Sequence, residues 1–218
     1  MNSVSGNQRE GQTNVVSAVI ITGLLAGAIL TVYSWGMPML QKQKDINQVD
    51  DALENVKSIA KNIETVATKE GSRYSTIQVD GFLEINASSN SIIYTTKSSK
   101  AYVATDKWVT LRENDMRGIP GIKPDEYGIK GRDKPGVIIA KAKKAGNNYI
   151  TVFKLFFREL IDTNSRRGYQ IDLKADGPDS VSSGSHKVKV AYRDSNPVPG
   201  GSKVGSMLEE KIVEVTIE

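Results

Sequence analysis

Few residues in this chain are equipped for covalent or metal chemistry. Across 218 residues there is no cysteine and one histidine, His186. Without cysteine there are no disulfides, thiolate metal ligands or cysteine nucleophiles. One imidazole cannot build a multi-histidine metal site. His186 sits in Gly184-Ser-His-Lys-Val-Lys-Val190, at the start of an alternating run, with no nucleophile elbow or carboxylate motif beside it. It reads as a surface or edge-strand histidine. There is no P-loop, no glycine fingerprint for dinucleotides, no H-E-x-x-H and no EF-hand sequence. Asp and Glu are scattered and propose no paired-carboxylate site. The sequence therefore predicts no catalytic residue, no cofactor and no metal. The net charge of +4, from 29 Lys and Arg against 25 Asp and Glu, has no clustered basic face behind it. No nucleic-acid partner is expected.

What remains is the chemistry of modification and packing. Asn86-Ala-Ser88 is the one N-x-S/T sequon, so Asn86 is a candidate glycan site if its domain lies outside the cell. Gly23 and Gly27 form a G-x-x-x-G pair. In lipid such a pair lets a second helix approach closely, although glycine is also common in apolar helices for no such reason.

These residues belong to elements that the hydropathy pattern outlines. No formally charged residue occurs from Gly11 to Gln41. The core of this stretch, Val15 to Tyr33, is 19 residues long, close to the ~20 that cross a bilayer as a helix. Its polar members, Ser17, Thr22 and Thr31, can return their hydroxyls to the helix backbone. Tyr33 and Trp35 follow where interfacial aromatics belong. A secretory signal peptide would have a basic start and a small-residue cleavage site, and neither is present.

After Pro38, which should bend the helix, the period continues. Ile46, Val49, Leu53, Val56, Ile59, Ile63 and Val66 are spaced 3, 4, 3, 3, 4 and 3 apart, a narrow apolar face on a helix that ends near Lys69 or Glu70 with Gly71 as terminator. This seam is expected to pack on the chain's own strands or on a neighbour's.

Beyond Gly71 the period becomes two. Tyr74–Val79 and Phe82–Ile85 flank Asp80-Gly81, a hairpin dipeptide. Ser88-Ser-Asn90 and Ile92–Thr96 then complete a meander, and Ala101–Leu111 adds a strand. The Pro- and Gly-rich stretch 112–136 reads as a long exposed loop, more simply variable surface than a binding loop. Strands resume at Val137–Lys143, Tyr149–Ile161, Tyr169–Lys174, Lys187–Tyr192 and Lys211–Ile217, with turns around Arg166-Arg167-Gly168 and 194–206. Within Tyr149–Ile161 the run VFKLFF suits a central strand. The fold class is α+β: a long N-terminal hydrophobic helix, residues 12–70, followed by an antiparallel β-sandwich head, residues 71–218.

This layout resembles the archaeal type IV pilin and archaellin superfamily. The resemblance rests on Gly11-Gln12-Thr13-Asn14 leading into Val15-Val16-Ser17-Ala18-Val19, and on the exit Tyr33-Ser-Trp-Gly-Met-Pro38. It covers the helix closely and the head only by architecture. It implies a class III signal peptide, 1–11, cut between Gly11 and Gln12 by a prepilin peptidase-like enzyme. It further implies a filament core built from residues 12–40, an amphipathic stretch 41–70 and an extracellular, immunoglobulin-like head. The implied partners are identical subunits in a helical filament, the membrane before assembly, and assembly machinery; the implied role is adhesion at the cell surface. The family usually has basic residues before the cleavage glycine, where this chain has Arg9 and Glu10. The alternative is an uncut, membrane-anchored extracytoplasmic binding module of the archaellum stator type. An anchored enzyme has no supporting motif.

Overall fold

The structure, a computed structural model, describes residues 7–103, 106–112 and 116–218, with side chains from Val16 onward except at 42 and 45. Most of the expected leader therefore lies outside the described residues. One helix, α1 (Asn7–Lys69), precedes ten strands. The chain divides into a unit that ends at Lys44 and a unit from Asp45 to Glu218.

In the first unit α1 satisfies its few polar side chains internally. Thr22 Oγ1 donates to the Ala18 carbonyl and Thr31 Oγ1 to that of Gly27, both at 2.8 Å, and Ser34 Oγ donates to Thr31 at 2.9 Å. Hydroxyls bonded back in this way no longer need water. Pro38 lies inside the helix, where its ring removes one N–H from the ladder.

In the second unit the helix meets a sheet. Its strands are β1 (Ser72–Asn86), β2 (Ser91–Ser98), β3 (Val109–Arg112), β4 (Gly128–Ile129), β5 (Gly136–Ala145), β6 (Asn148–Phe157), β7 (Leu160–Ile161), β8 (Gly168–Ala175), β9 (Ser180–Val198) and β10 (Leu208–Ile217). They form one sheet in the order β3-β5-β6-β2-β1-β9-β10-β8-β7-β4. Pairing is antiparallel except for β8 with β10 and β4 with β7. The expected sandwich of two sheets is thus replaced by a single hydrogen-bonded sheet. The physical reason is the helix. Val49, Leu53, Val56, Ile59, Ile63 and Val66 are buried in one cluster with Ile77, Leu83, Phe153, Leu173, Val190 and Val213 from the strands. The apolar layer that a second sheet would supply comes from α1.

The sheet must curl to surround a helix, and Asn90 shows that it does. Asn90 occupies a left-handed conformation, φ 48°, after the β1–β2 turn. Its Nδ2 donates to the carbonyls of Phe157 at 3.1 Å and Ile171 at 2.6 Å, and its Oδ1 accepts from the Leu173 N–H at 2.9 Å. Phe157 ends β6 and Ile171 lies in β8, five steps away in the sheet order. In a flat sheet that is roughly 24 Å at the usual strand spacing. One side chain bridges them because the sheet wraps back on itself.

Other elements differ from expectation for local reasons. Asp80-Gly81 makes no hairpin. β1 runs through it and pairs with β9 on both sides, with a register shift between Val79 and Phe82. This is a β-bulge. Gly81 has φ 147°, and a Cβ there would lie 2.1 Å from the Thr95 carbonyl oxygen. The bulge is held by the Asp80 N–H donating to Tyr94 Oη and by Thr96 Oγ1 donating to the Asp80 carbonyl, each at 2.8 Å. The strand expected over Ala101–Leu111 shrinks to β3. β9 extends well beyond Lys187–Tyr192 and takes in Pro197. VFKLFF lies in β6, a central strand paired with β5 and β2. α1 ends as expected: Glu70 and Gly71 both have positive φ, and the Glu70 N–H donates to the Val66 carbonyl at 2.9 Å.

Ile46 departs from the seam. It is 43% exposed, whereas Ile59 is 1% exposed. Ile59→Ala is therefore expected to lower unfolding stability by about 2–5 kcal/mol. Ile46→Ala should change it by less than about 0.5 kcal/mol. Denaturant unfolding of the full chain in detergent, followed by far-ultraviolet circular dichroism of the sheet, measures both.

Candidate functional site: the uncovered half of the helix

Among the described side chains, none from Val16 to Gln48 is buried. Leu24 and Leu30 are each 69% exposed and Trp35 is 82% exposed. Val19, Ile20, Ile21, Leu25, Ile29 and Val32 are exposed as well, so apolar groups cover the helix all round. A water-facing helix would keep a polar face. By length and composition, α1 is a helix that can cross a membrane.

Gly23 and Gly27 lie four residues apart on one face of α1. Beyond the local helix itself, nothing among the described residues comes within 4 Å of where a Cβ would stand at either position. Together they leave a stretch of that face without side chains, among large exposed apolar ones. Gly11 and Gln12 fall within the backbone of α1, and the side chain of Gln12 lies outside the described residues. The structure therefore separates the residues grouped for packing. Gly23 and Gly27 face open space, Ile46 is half exposed, and Val49, Leu53, Val56, Ile59 and Ile63 are committed to the chain's own sheet.

Asn86 caps the short 3-10 turn Ala87–Ser89. Its Oδ1 accepts from the Ser89 N–H at 3.0 Å and from Ser88 Oγ at 2.8 Å. His186 lies within β9, its Nε2 2.9 Å from the Ser182 carbonyl oxygen. Among the described residues no group of three His, Asp or Glu is placed to hold a metal ion.

The stretch 112–136 is not simple exposed surface. Ile119 is fully buried in a second apolar cluster with Val137, Ile139 and Phe156, on the face of β5 and β6 away from the helix. Asp133 fastens the segment. Its Oδ2 accepts from the Ile129 N–H at 2.7 Å and from Arg117 Nη2 at 2.9 Å, and its Oδ1 from Arg132 Nε at 3.2 Å. Burial opposes ionisation of this carboxyl, but the Ile129 N–H and the two guanidiniums outweigh it and hold Asp133 below the usual carboxylate range.

Two polar contacts escape the sequence pattern. Glu64 stands beside Ile63 on the buried side of α1. Its Oε2 meets Arg112 Nη2 at 2.6 Å and its Oε1 accepts from the Gly136 N–H at 3.2 Å, so the helix is tied to β3 and β5. Tyr102 Oη donates to Asp50 Oδ1 at 2.7 Å. That hydrogen bond, with burial and the negative charge of Asp50, pushes the Tyr102 phenol up to about 12. A charge inside an apolar stripe is the only trace of the first in the sequence. The second joins residues 52 apart, and no local signal reveals it.

No family model matches this chain, and neither does any curated protein or solved structure.

The Asp133 clamp has a sign. A depressed folded-state value means that its contribution is fully present above the unfolded carboxylate value and is lost as pH falls through the folded one. Asp133→Asn should cost about 1–3 kcal/mol at neutral pH. It should also flatten the loss of stability that the parent chain shows below about pH 4. Unfolding curves of both proteins from pH 7 to pH 3 provide the check.

Proposed function

We propose that this chain is the structural subunit of a type IV pilus-like or archaellin-like surface filament. In this reading α1 is held in the membrane before assembly and then bundles with α1 of identical copies, while the head is displayed outside the cell for attachment. The observation that carries it is the contrast along one helix. From Val49 onward the apolar side chains are covered by the chain's own sheet, and from Val16 to Leu40 they are covered by nothing in it. Exposed apolar area costs about 25 cal/mol per Å², so this half is stable only against lipid or other apolar helices. Helices in lipid gain little by hydrophobic sorting and associate where small residues permit close packing. The open stretch at Gly23 and Gly27 supplies that condition.

In this reading a peptidase removes residues 1–11 before assembly. Native protein should begin at Gln12 and be found in filaments by electron microscopy; intact Met1 in membranes without filaments would overturn the proposal. Gly23→Leu or Gly27→Leu should reduce assembly about tenfold, the scale of one lost helix contact of about 1–2 kcal/mol. Thr31→Leu should have the smaller effect. A Cβ at either glycine has nothing within 4 Å among the described residues beyond the local helix, and leucine has the higher helix propensity. A loss of assembly therefore reports on contact with another molecule.

A further inference from the structure

In the unit from Asp45 to Glu218, the last turns of α1, the 130–135 turn and strands β7, β8 and β10 line an open cavity of about 490 Å³. That lies within the ~300–1,000 Å³ of small-molecule sites. Its apolar wall comes from Ala67 of α1, Pro135, Leu160 and the ring of Tyr169. Its charged rim comes from Lys130, Lys134 and Lys211, with Glu64 and Glu209.

The charges do not cancel. Both oxygens of Glu64 are taken, one by Arg112 and one by the Gly136 N–H. Glu209 pairs with Lys211 at 3.0 Å. Two ammonium groups are left. Lys130 Nζ stands 5.3 Å from the centroid of the Tyr169 ring, and neither Lys130 nor Lys134 makes an ion pair among the described residues. Burial pushes the Tyr169 phenol up to about 12, with Glu209 and Glu64 adding to the shift against a hydrogen bond with Thr68. The phenol stays an O–H donor at any physiological pH. A cation would be repelled by the two ammonium groups. A neutral apolar molecule would leave Lys134 without a counter-charge and Lys130 with only that of Asp162. A bare inorganic anion would leave the apolar wall uncovered.

We propose that this cavity binds a small organic carboxylate, its anionic head between Lys130 and Lys134 and its aromatic or short aliphatic body against Tyr169, Leu160 and Ala67. This site does not depend on the filament reading, since none of its residues belongs to the uncovered helix half. The direct test is a titration of the full chain in detergent micelles with benzoate, followed by saturation-transfer NMR. Benzamide and inorganic phosphate serve as comparison probes. Saturable benzoate binding is expected, with benzamide and phosphate each at least about tenfold weaker, equivalent to about 1.4 kcal/mol. The double variant Lys130→Gln with Lys134→Gln should weaken benzoate by about tenfold or more, and Lys134→Arg should retain it. Both lysines are exposed, so these variants keep the fold. Absence of saturable benzoate binding, equal binding of either comparison probe, or a double variant indistinguishable from the parent would overturn the assignment.

Discussion

Everything in this molecule turns on one unbalanced surface. A helix of 63 residues carries two apolar regions, and the chain covers only one of them. Leu24, Leu30 and Trp35 stand exposed, and the polar groups that share their faces are small hydroxyls such as Thr31 and Ser34. The hydroxyls of Thr22 and Thr31, which interrupt the apolar run, are bonded to the helix backbone. In the proposed filament, dispersion and close approach are then the means by which this half packs, and the two glycines are where approach meets least resistance.

The covered half explains the rest of the fold. Its apolar stripe is buried by strands that curl round it within one continuous ladder. Two polar devices fix that curl. Asn90 joins β6 to β8 from the rim, and Glu64 reaches from the helix to β3 and β5. The bulge at Gly81 bends β1 as it follows the curvature, with both neighbouring strands contributing side-chain bonds to it. With no cysteine available, these hydrogen-bonded clasps take the place that disulfides would have in a small exposed domain. The cavity at the end of α1 opens between the last turns of the helix, the 130–135 turn and strands β7, β8 and β10.

The helix was legible because its signals are dense and local. Uncharged length, a 3-and-4 spacing and a terminating glycine each depend on neighbours within a few turns. The same held for the β-rich remainder, the central place of VFKLFF and the turn at Arg166-Arg167-Gly168. What failed was non-local. Asp80-Gly81 has hairpin composition, but only the strands on either side decide whether the chain reverses or bulges there. A sandwich and a sheet curled round a helix share the same alternating strands, and the choice rests on whether the seam packs at home. Stretch 112–136 has loop composition yet hides Ile119 and an Asp133 clamp, whose partners are set by the path of the backbone. Ile46 keeps the seam's spacing but lies just beyond the reach of the sheet. Gly23 and Gly27 show in the sequence as a spacing, whereas the cavity, drawn from α1, β7, β8, β10 and the 130–135 turn, has no motif.

The central claim is that copies of this same helix cover the exposed half of α1. The most direct measurement places a benzophenone-bearing amino acid at Ala26, between Gly23 and Gly27, and irradiates the intact native cell-surface material. Covalent dimers of this chain, joined through the helix, are the predicted result. Monomers carrying lipid, or no adduct at all, would contradict it.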